Sequence, residues 1–330
     1  MRKKIFLALK IFVSVFLIVF LFKQADTNKV LEIMRSMDIT LFLFAISLYA
    51  LSQIVSAFRW SLFLPHADIH LPFLKLVSLY YIGMFFNMFL PTIIGGDVVK
   101  SYYLYKFSGK GGNSIASVFL DRFTGFFALV TIAFVSLIIG YRYVEDTNIP
   151  LFVISLTSMF LLVSLIIWNR SLHRGALVFI DKIRLLGINE KFESLYNAVM
   201  LYKGEPQVLL KAFLISFVVQ IKGVVIFYLI SRGFGLNVSI GYFFMFVPIA
   251  VSISMIPISL SGLGLREGAF VYLFSKVGMT SAQALSISLA GFAIMVLLGL
   301  VGGVEYIRVG SVKDTVKSQE SRVRSQENSH

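Results

Sequence analysis

Apolar residues dominate eight stretches of the chain: Ile5–Phe22, Ile39–Phe58, Phe73–Leu90, Ile115–Gly140, Ile149–Trp168, Val208–Ile230, Ile240–Ile256 and Ala282–Tyr306. A membrane-spanning helix needs about 20 consecutive, mostly apolar residues. Six of the stretches continue as simple spans. The third and seventh instead run into helix breakers. Pro91, Gly95 and Gly96 follow one, and Pro257, Gly262 and Gly264 follow the other. Proline removes a backbone donor and glycine lowers helix stability, so each run should break there. The apolar residues beyond each break (Val98–Leu104 and Ala269–Phe274) are too few to cross a bilayer again. The pattern predicts an all-α polytopic membrane protein of six full spans and two re-entrant broken-helix hairpins.

Composition agrees. The 330 residues are 58% hydrophobic and only 14% charged, with a mean hydropathy of +0.85. So few charges cannot cover a soluble surface. The absence of cysteine excludes disulfides, thiolate metal sites and cysteine nucleophiles, and four histidines make a zinc site a poor expectation. No phosphate-cradling Gly-x-x-x-x-Gly-Lys-Ser/Thr motif is present in the sequence. No metal, cofactor or nucleic acid is expected. The net charge of +13 belongs to loops at a cytoplasmic membrane face. With both hairpins re-entrant, the segments on the side of the N-terminus hold 17 lysines and arginines against 6 on the other. A single crossing at the first hairpin would move the basic stretch 169–206 to the wrong side. Both termini are therefore expected in the cytoplasm, at the cytoplasmic (inner) membrane. The domain is read as 1–310, in pseudo-repeats of roughly 1–145 and 146–310. An amphipathic insert covers 169–206, and 311–330 is a disordered tail.

The two breaks share one offset. A shift of 166 residues carries Pro91 onto Pro257, Gly96 onto Gly262 and Lys100 onto Arg266. Broken helices at matching positions of two inverted halves point to a transporter binding site. Charges in such segments are costly and usually functional. The candidates are Asp97, Lys100, Asp121, Arg122, Lys222, Arg266 and Glu267, with a formal sum of +1. Glycines Gly95, Gly96, Gly262 and Gly264 free backbone donors at half-helix starts, which attract anions such as phosphate. Lys100 and Arg266 could add charge to such a site. Asp97 and Glu267 could instead simply cap the half-helices. Arg122 could snorkel to the interface. Asp121 and Arg122 point about 100° apart on a helix and should reach different partners. Lys222 could pair with Asp121. Asn87, one turn before Pro91, either bonds backbone freed by the break or meets ligand. Arg59 and Trp60 are read as an interface anchor.

Three motifs carry a family resemblance: Gly83 through Asn87, Pro91, Gly95, Gly96 and Asp97 to Lys100; Ser117 to Asp121 and Arg122 with Gly125; and Pro257, Gly262, Gly264, Arg266, Glu267 and Gly268. Together they resemble the flippase-like membrane region of the lysylphosphatidylglycerol synthase family, over nearly the whole chain to Tyr306. Family members often have Glu where Asp121 stands and Arg where Lys100 stands. The resemblance implies movement of a polar, phosphate-containing lipid head group across the bilayer. The substrate would be an anionic phospholipid or a polyprenyl-phosphate-linked lipid, with a lipid-modifying enzyme as a further partner. About 24 polar residues follow Tyr306, so the soluble aminoacyl-transfer domain of full-length synthases, and its chemistry, is expected to be absent. Two other classes remain open on sequence: a membrane transferase acting on a lipid-linked sugar with Asp97 or Asp121 as base, and a scaffold binding a partner through 169–206.

Overall fold

The computed structural model describes residues 2–90, 95–141, 146–169, 171–175, 196–197, 199–256 and 258–327. Most of the amphipathic insert and both break prolines, Pro91 and Pro257, lie outside the described residues. Among those described, the regular structure is helical throughout. The helices are α1 (Arg2–Ala25), α2 (Thr27–Arg35), α3 (Ile39–Ser61), α4 (Phe73–Phe89), α5 (Gly95–Ser108), α6 (Gly111–Gly140), α7 (Asn148–Trp168), α8 (Pro206–Gly233), α9 (Ile240–Ser254), α10 (Leu265–Ser275) and α11 (Ser281–Glu327). Every apolar run of the sequence is one of these helices.

Five of them (α3, α6, α7, α8 and the Ser281–Val309 part of α11) are long and apolar enough to cross a membrane. A sixth span is formed if α1 and α2 count as one, bent by 83°. Asp26 at that bend accepts a hydrogen bond from the Asn28 amide, and Asp38 caps α3 by accepting from Thr40 and Leu41. At about 1.5 Å per residue, α4 with 17 residues and α9 with 15 fall short of the roughly 30 Å hydrocarbon core. α11 continues unbroken to Glu327. Its segment 311–327 is part of that helix. No proline or glycine interrupts it after Gly310, and Lys, Arg, Glu and Gln are good helix formers.

The burial pattern suits lipid. Phe12, Phe16 and Phe20, one turn apart on α1, are exposed, as are Leu161, Leu162 and Leu165 on α7. Serines 52, 56, 114, 117, 216, 286 and 288 are buried between helices. Where the surrounding solvent is itself apolar, close packing of small residues and interhelical hydrogen bonds replace the hydrophobic drive.

Moved along by 166 residues, α3, α4, α5 and α6 start within four residues of α8, α9, α10 and α11. Their packing follows the same exchange. α4 lies on α5 and α9 on α10; α5 on α6 and α10 on α11; α3 on α4 and α8 on α9; α4 on α11 and α9 on α6. α3 and α8 pack on each other. One end of the bundle joins the 62–72 connection to the start of α6, through Lys110 to Asp68 and Asn113 to the Ala67 carbonyl (3.0 Å). The opposite end ties the start of α3 to the end of α8, through the Asp38 amide and the Gly233 carbonyl (2.9 Å). There Lys276, just past α10, meets Asp146, just past α6, at 2.8 Å. α4 starts and α5 finishes at the first end; α9 starts and α10 finishes at the second.

Candidate functional site

Two polar clusters sit where the short helices break. The first is built on α5. Gly96 comes so close to α4 that a Cβ there would lie 2.0 Å from the Gly83 carbonyl oxygen. This contact brings the Gly96 amide to the Asn87 side chain, which accepts its hydrogen bond at 2.7 Å. One turn further on, Lys100 is buried, with Nζ 3.1 Å from Asp97 and 3.7 Å from Asp121. It also lies 3.9 Å from the centre of the Tyr80 ring and 5.3 Å from that of Trp60, where ring faces attract a cation.

α6 supplies the other wall. Asp121 is fully buried; it accepts from Arg59 Nε at 2.8 Å and from the Tyr80 hydroxyl. Arg122, next in sequence but turned away from it, donates to Asp97 at 2.5 Å and keeps 44% of its side chain exposed. The adjacent pair therefore reaches different partners, as the helix geometry requires. Arg59 also donates to Ser216 on α8 at 2.9 Å. Gly125 leaves it room, since a Cβ there would meet the guanidinium at 3.0 Å. Three cations face two carboxylates, and Arg122 is the member open to the surroundings.

The second cluster lies at the start of α10. Gly262 and Gly264 adopt left-handed backbone (φ 77° and 85°), which suits glycine. Leu17 of α1 packs against Gly264, and Ser14 of α1 accepts the Leu260 amide at 2.7 Å. Glu267, fully buried, caps the helix by accepting from the Gly264 amide at 2.7 Å. Its other oxygen takes Arg266 at 2.5 Å and the Ser288 hydroxyl at 3.2 Å. The Gly264 donor, expected to be free for an anion, is thus filled from within. The second cluster is a closed, neutral pair and the first an open one of charge +1.

The two breaks meet. Ser261 donates to the Asn87 carbonyl at 2.5 Å and approaches that of Leu90 at 3.3 Å.

Two sequence expectations need correction. Arg59 and Trp60 are no interface anchor: both are buried, with Trp60 donating to Ser117 at 3.3 Å. The reason is electrostatic, since a buried Asp121 requires a cation and α3 carries it inward. Lys222 does not pair with Asp121, whose partners are Arg59, Tyr80 and Lys100. Its buried Nζ has no hydrogen-bond partner among the described residues, while the neighbouring Gln220 side chain donates to the Gly125 carbonyl. Tyr80 was missed altogether. Its signal was the helical spacing of Tyr80, Gly83 and Asn87, which lays all three on one face of α4. No group of three or more metal-ligating side chains occurs among the described residues.

This arrangement defines a class: a multi-pass helical membrane protein whose polar residues collect where two short helices break. The chain belongs to the family described as Lysylphosphatidylglycerol synthase TM region, whose profile matches residues 7–303. It is 26% identical over 321 residues to a UPF0104 membrane protein of Pyrococcus horikoshii, covering 88% of this chain and 94% of that one. Two UPF0104 membrane proteins of Methanothermobacter thermautotrophicus are 25% and 24% identical, covering 78% and 76% of this chain and 81% and 79% of theirs.

Proposed function

We propose that the protein is a lipid flippase or transporter that moves a phosphate-containing head group across the membrane. One observation carries the reading: the two breaks touch through Ser261 and Asn87, with a net positive network on one side of the contact. Non-helical backbone at membrane depth is tolerated only when it is buried in protein or lines a cavity. The half-exposed Arg122 would take the phosphate. A guanidinium matches its geometry bidentately, and Asp97 would hold that guanidinium between transfers. The exchange of helix packing, and the entry of the two hairpins from opposite ends, support an inverted repeat of roughly 1–145 and 146–310. Both hairpins are then re-entrant. The excess of lysine and arginine supports cytoplasmic termini. Partners are membrane lipids, either anionic phospholipids or polyprenyl-phosphate-linked ones, with a lipid-modifying enzyme as supplier or user.

Reconstitution into vesicles with labelled anionic, aminoacylated and polyprenyl-phosphate-linked lipids tests this. At least one class should cross faster than in empty vesicles. Arg122→Gln should slow it about 10- to 150-fold, the equivalent of a charge-assisted hydrogen bond of roughly 1.5–3 kcal/mol. If no lipid of the panel crosses faster than in empty vesicles, the proposal is wrong.

A further inference from the structure

Away from both clusters, a groove of about 660 Å³ opens between α6, α8 and α9 at the end of the bundle where α6 finishes. Ser136, Ile139 and Gly140 of α6, Ile221 of α8, and Phe244 and Met245 of α9 are among the residues lining it. That volume is typical of a ligand site, roughly 300–1,000 Å³. Among the described residues that line it, none is charged, and these offer a head group no counter-charge.

The helix exchange shows what occupies the matching place in the other half. Shifted by 166 residues, Ser136, Ile139 and Gly140 become Gly302, Glu305 and Tyr306, and Phe244 corresponds to Ser78. Those residues pack closely. The helix contact there is as tight as that of Gly96 on α4. A Cβ on Gly302 would lie 1.9 Å from the Tyr81 carbonyl oxygen. Ser78 donates to Glu305 at 2.9 Å, and Tyr306 meets the Phe86 ring edge-on at 5.0 Å. One half is therefore sealed by α4 on α11 at one end of the bundle. The other is parted between α6 and α9 at the opposite end.

We propose that the groove between α6, α8 and α9 holds one hydrocarbon chain of a lipid, and that the α4–α11 seam is the equivalent portal held shut. The occupant follows from the lining and from the phase around it. Against the spanning helices α6 and α8, an open, mainly apolar groove whose described lining carries no charge admits acyl or prenyl chain and excludes head group. This deepens the lipid-movement reading and rests on it for the seam's role in transport, though not for the groove's occupancy.

The test uses the full chain in phosphatidylcholine–phosphatidylglycerol vesicles with a trace of phosphatidylglycerol bearing a diazirine in its tail. After photolysis, adducts are mapped by mass spectrometry. They should concentrate on Val135, Ile139, Ile221 and Phe244. Ile139→Trp, at a position 77% exposed and so tolerant of bulk, should cut groove labelling about tenfold, equivalent to about 1.4 kcal/mol. Leu162→Trp on the exposed face of α7 should leave it unchanged. Labelling no denser in the groove than on α7, or unaffected by Ile139→Trp, overturns the site. The chain has no cysteine, so Ser78→Cys with Glu305→Cys creates its only thiols. Bridging them with a short bifunctional reagent should stop transport and leave groove labelling intact. Transport at the unbridged rate overturns the shut-portal assignment. If the groove labels as expected while no lipid is transported, the groove stands and the transport reading falls.

Discussion

Asp121→Asn is the sharpest probe of the first network. The substitution keeps the side chain's size and removes one of the two carboxylates that, among the described residues, face Arg59, Lys100 and Arg122. The local charge rises from +1 to +2. Arg59 and Lys100 are 6% and 3% exposed at their side chains, so neither can turn to water. Breaking a buried pair by removing one partner costs about 3–5 kcal/mol, a large part of a typical total stability of roughly 5–15 kcal/mol. Asp97→Asn removes the same charge from Arg122 and Lys100, but Arg122 is 44% exposed and can be resolvated, and the buried Lys100 keeps Asp121 at 3.7 Å. That loss should stay near 1.5–3 kcal/mol, the cost of a charge-assisted hydrogen bond. Replacing Arg59 with Met and Asp121 with Leu together should be milder than Asp121→Asn, because no buried charge is then left without its partner. Trp60, fully buried and 5.3 Å from Lys100, is the built-in reporter. In a Trp168→Phe background its fluorescence follows denaturant unfolding in micelles, and the midpoints should rank wild type, Asp97→Asn, Asp121→Asn in falling order. An Asp121→Asn midpoint equal to wild type, or above that of Asp97→Asn, would refute the reasoning.

Gly96→Ala should separate α4 from α5, because its Cβ would meet backbone at 2.0 Å, whereas Gly223→Ala meets nothing within 4 Å and should stabilise by up to about 1 kcal/mol; thermal midpoints of the two variants should move in opposite directions. Lys222→Met should stabilise by up to about 3 kcal/mol and so raise the denaturation midpoint, since its Nζ is buried without a hydrogen bond among the described residues, in a membrane helix; a lowered midpoint would refute this. Hydrogen bonds from Lys276, Tyr272 and the Asn148 amide hold the Asp146 carboxyl well below the usual carboxylate range. A lowered value means the clamp contributes fully above the unfolded value of about 3.9 and is lost as pH falls through the folded one. Amide exchange over 276–280 should therefore quicken between neutral pH and pH 3 in wild type beyond its intrinsic rate change, and not in Asp146→Asn.

The helices and both breaks were legible because lipid imposes a simple pattern: long apolar runs interrupted only where proline and glycine forbid continuation. Asp97, Lys100, Asp121 and Arg122 were legible for a related reason, since a charge inside such a run has few structural excuses. Arg59 was not. It sits at the edge of its run, where an arginine normally reaches the interface, and only the burial of Asp121 on another helix distinguishes it. Ser261 was hidden by its ordinary chemistry: serine is common in these helices, and its contact with Asn87 spans 174 positions of sequence. The state of the Gly264 amide was equally out of reach, because glycine followed three residues later by glutamate is compatible with an open anion site and with a closed cap.

In the proposed repeat the two halves differ most in charge, and that difference gives it a direction. Position for position, Arg122 of the first half corresponds to Ser288 of the second, and each bonds the acidic residue of its half-helix: Asp97 in one, Glu267 in the other. A serine hydroxyl can donate to a carboxylate but brings no positive charge to draw a phosphate. Arg266 is accordingly turned onto its own neighbour, 13% exposed, while Arg122 stands out from its pair. If the halves were interchangeable in function, moving the open cation should move the anion site. Ser288→Arg with Arg122→Ser tests that equivalence. The exchange should abolish transport if the charge asymmetry sets where the phosphate binds. It should leave the rate unchanged if the cations serve only to pair the carboxylates.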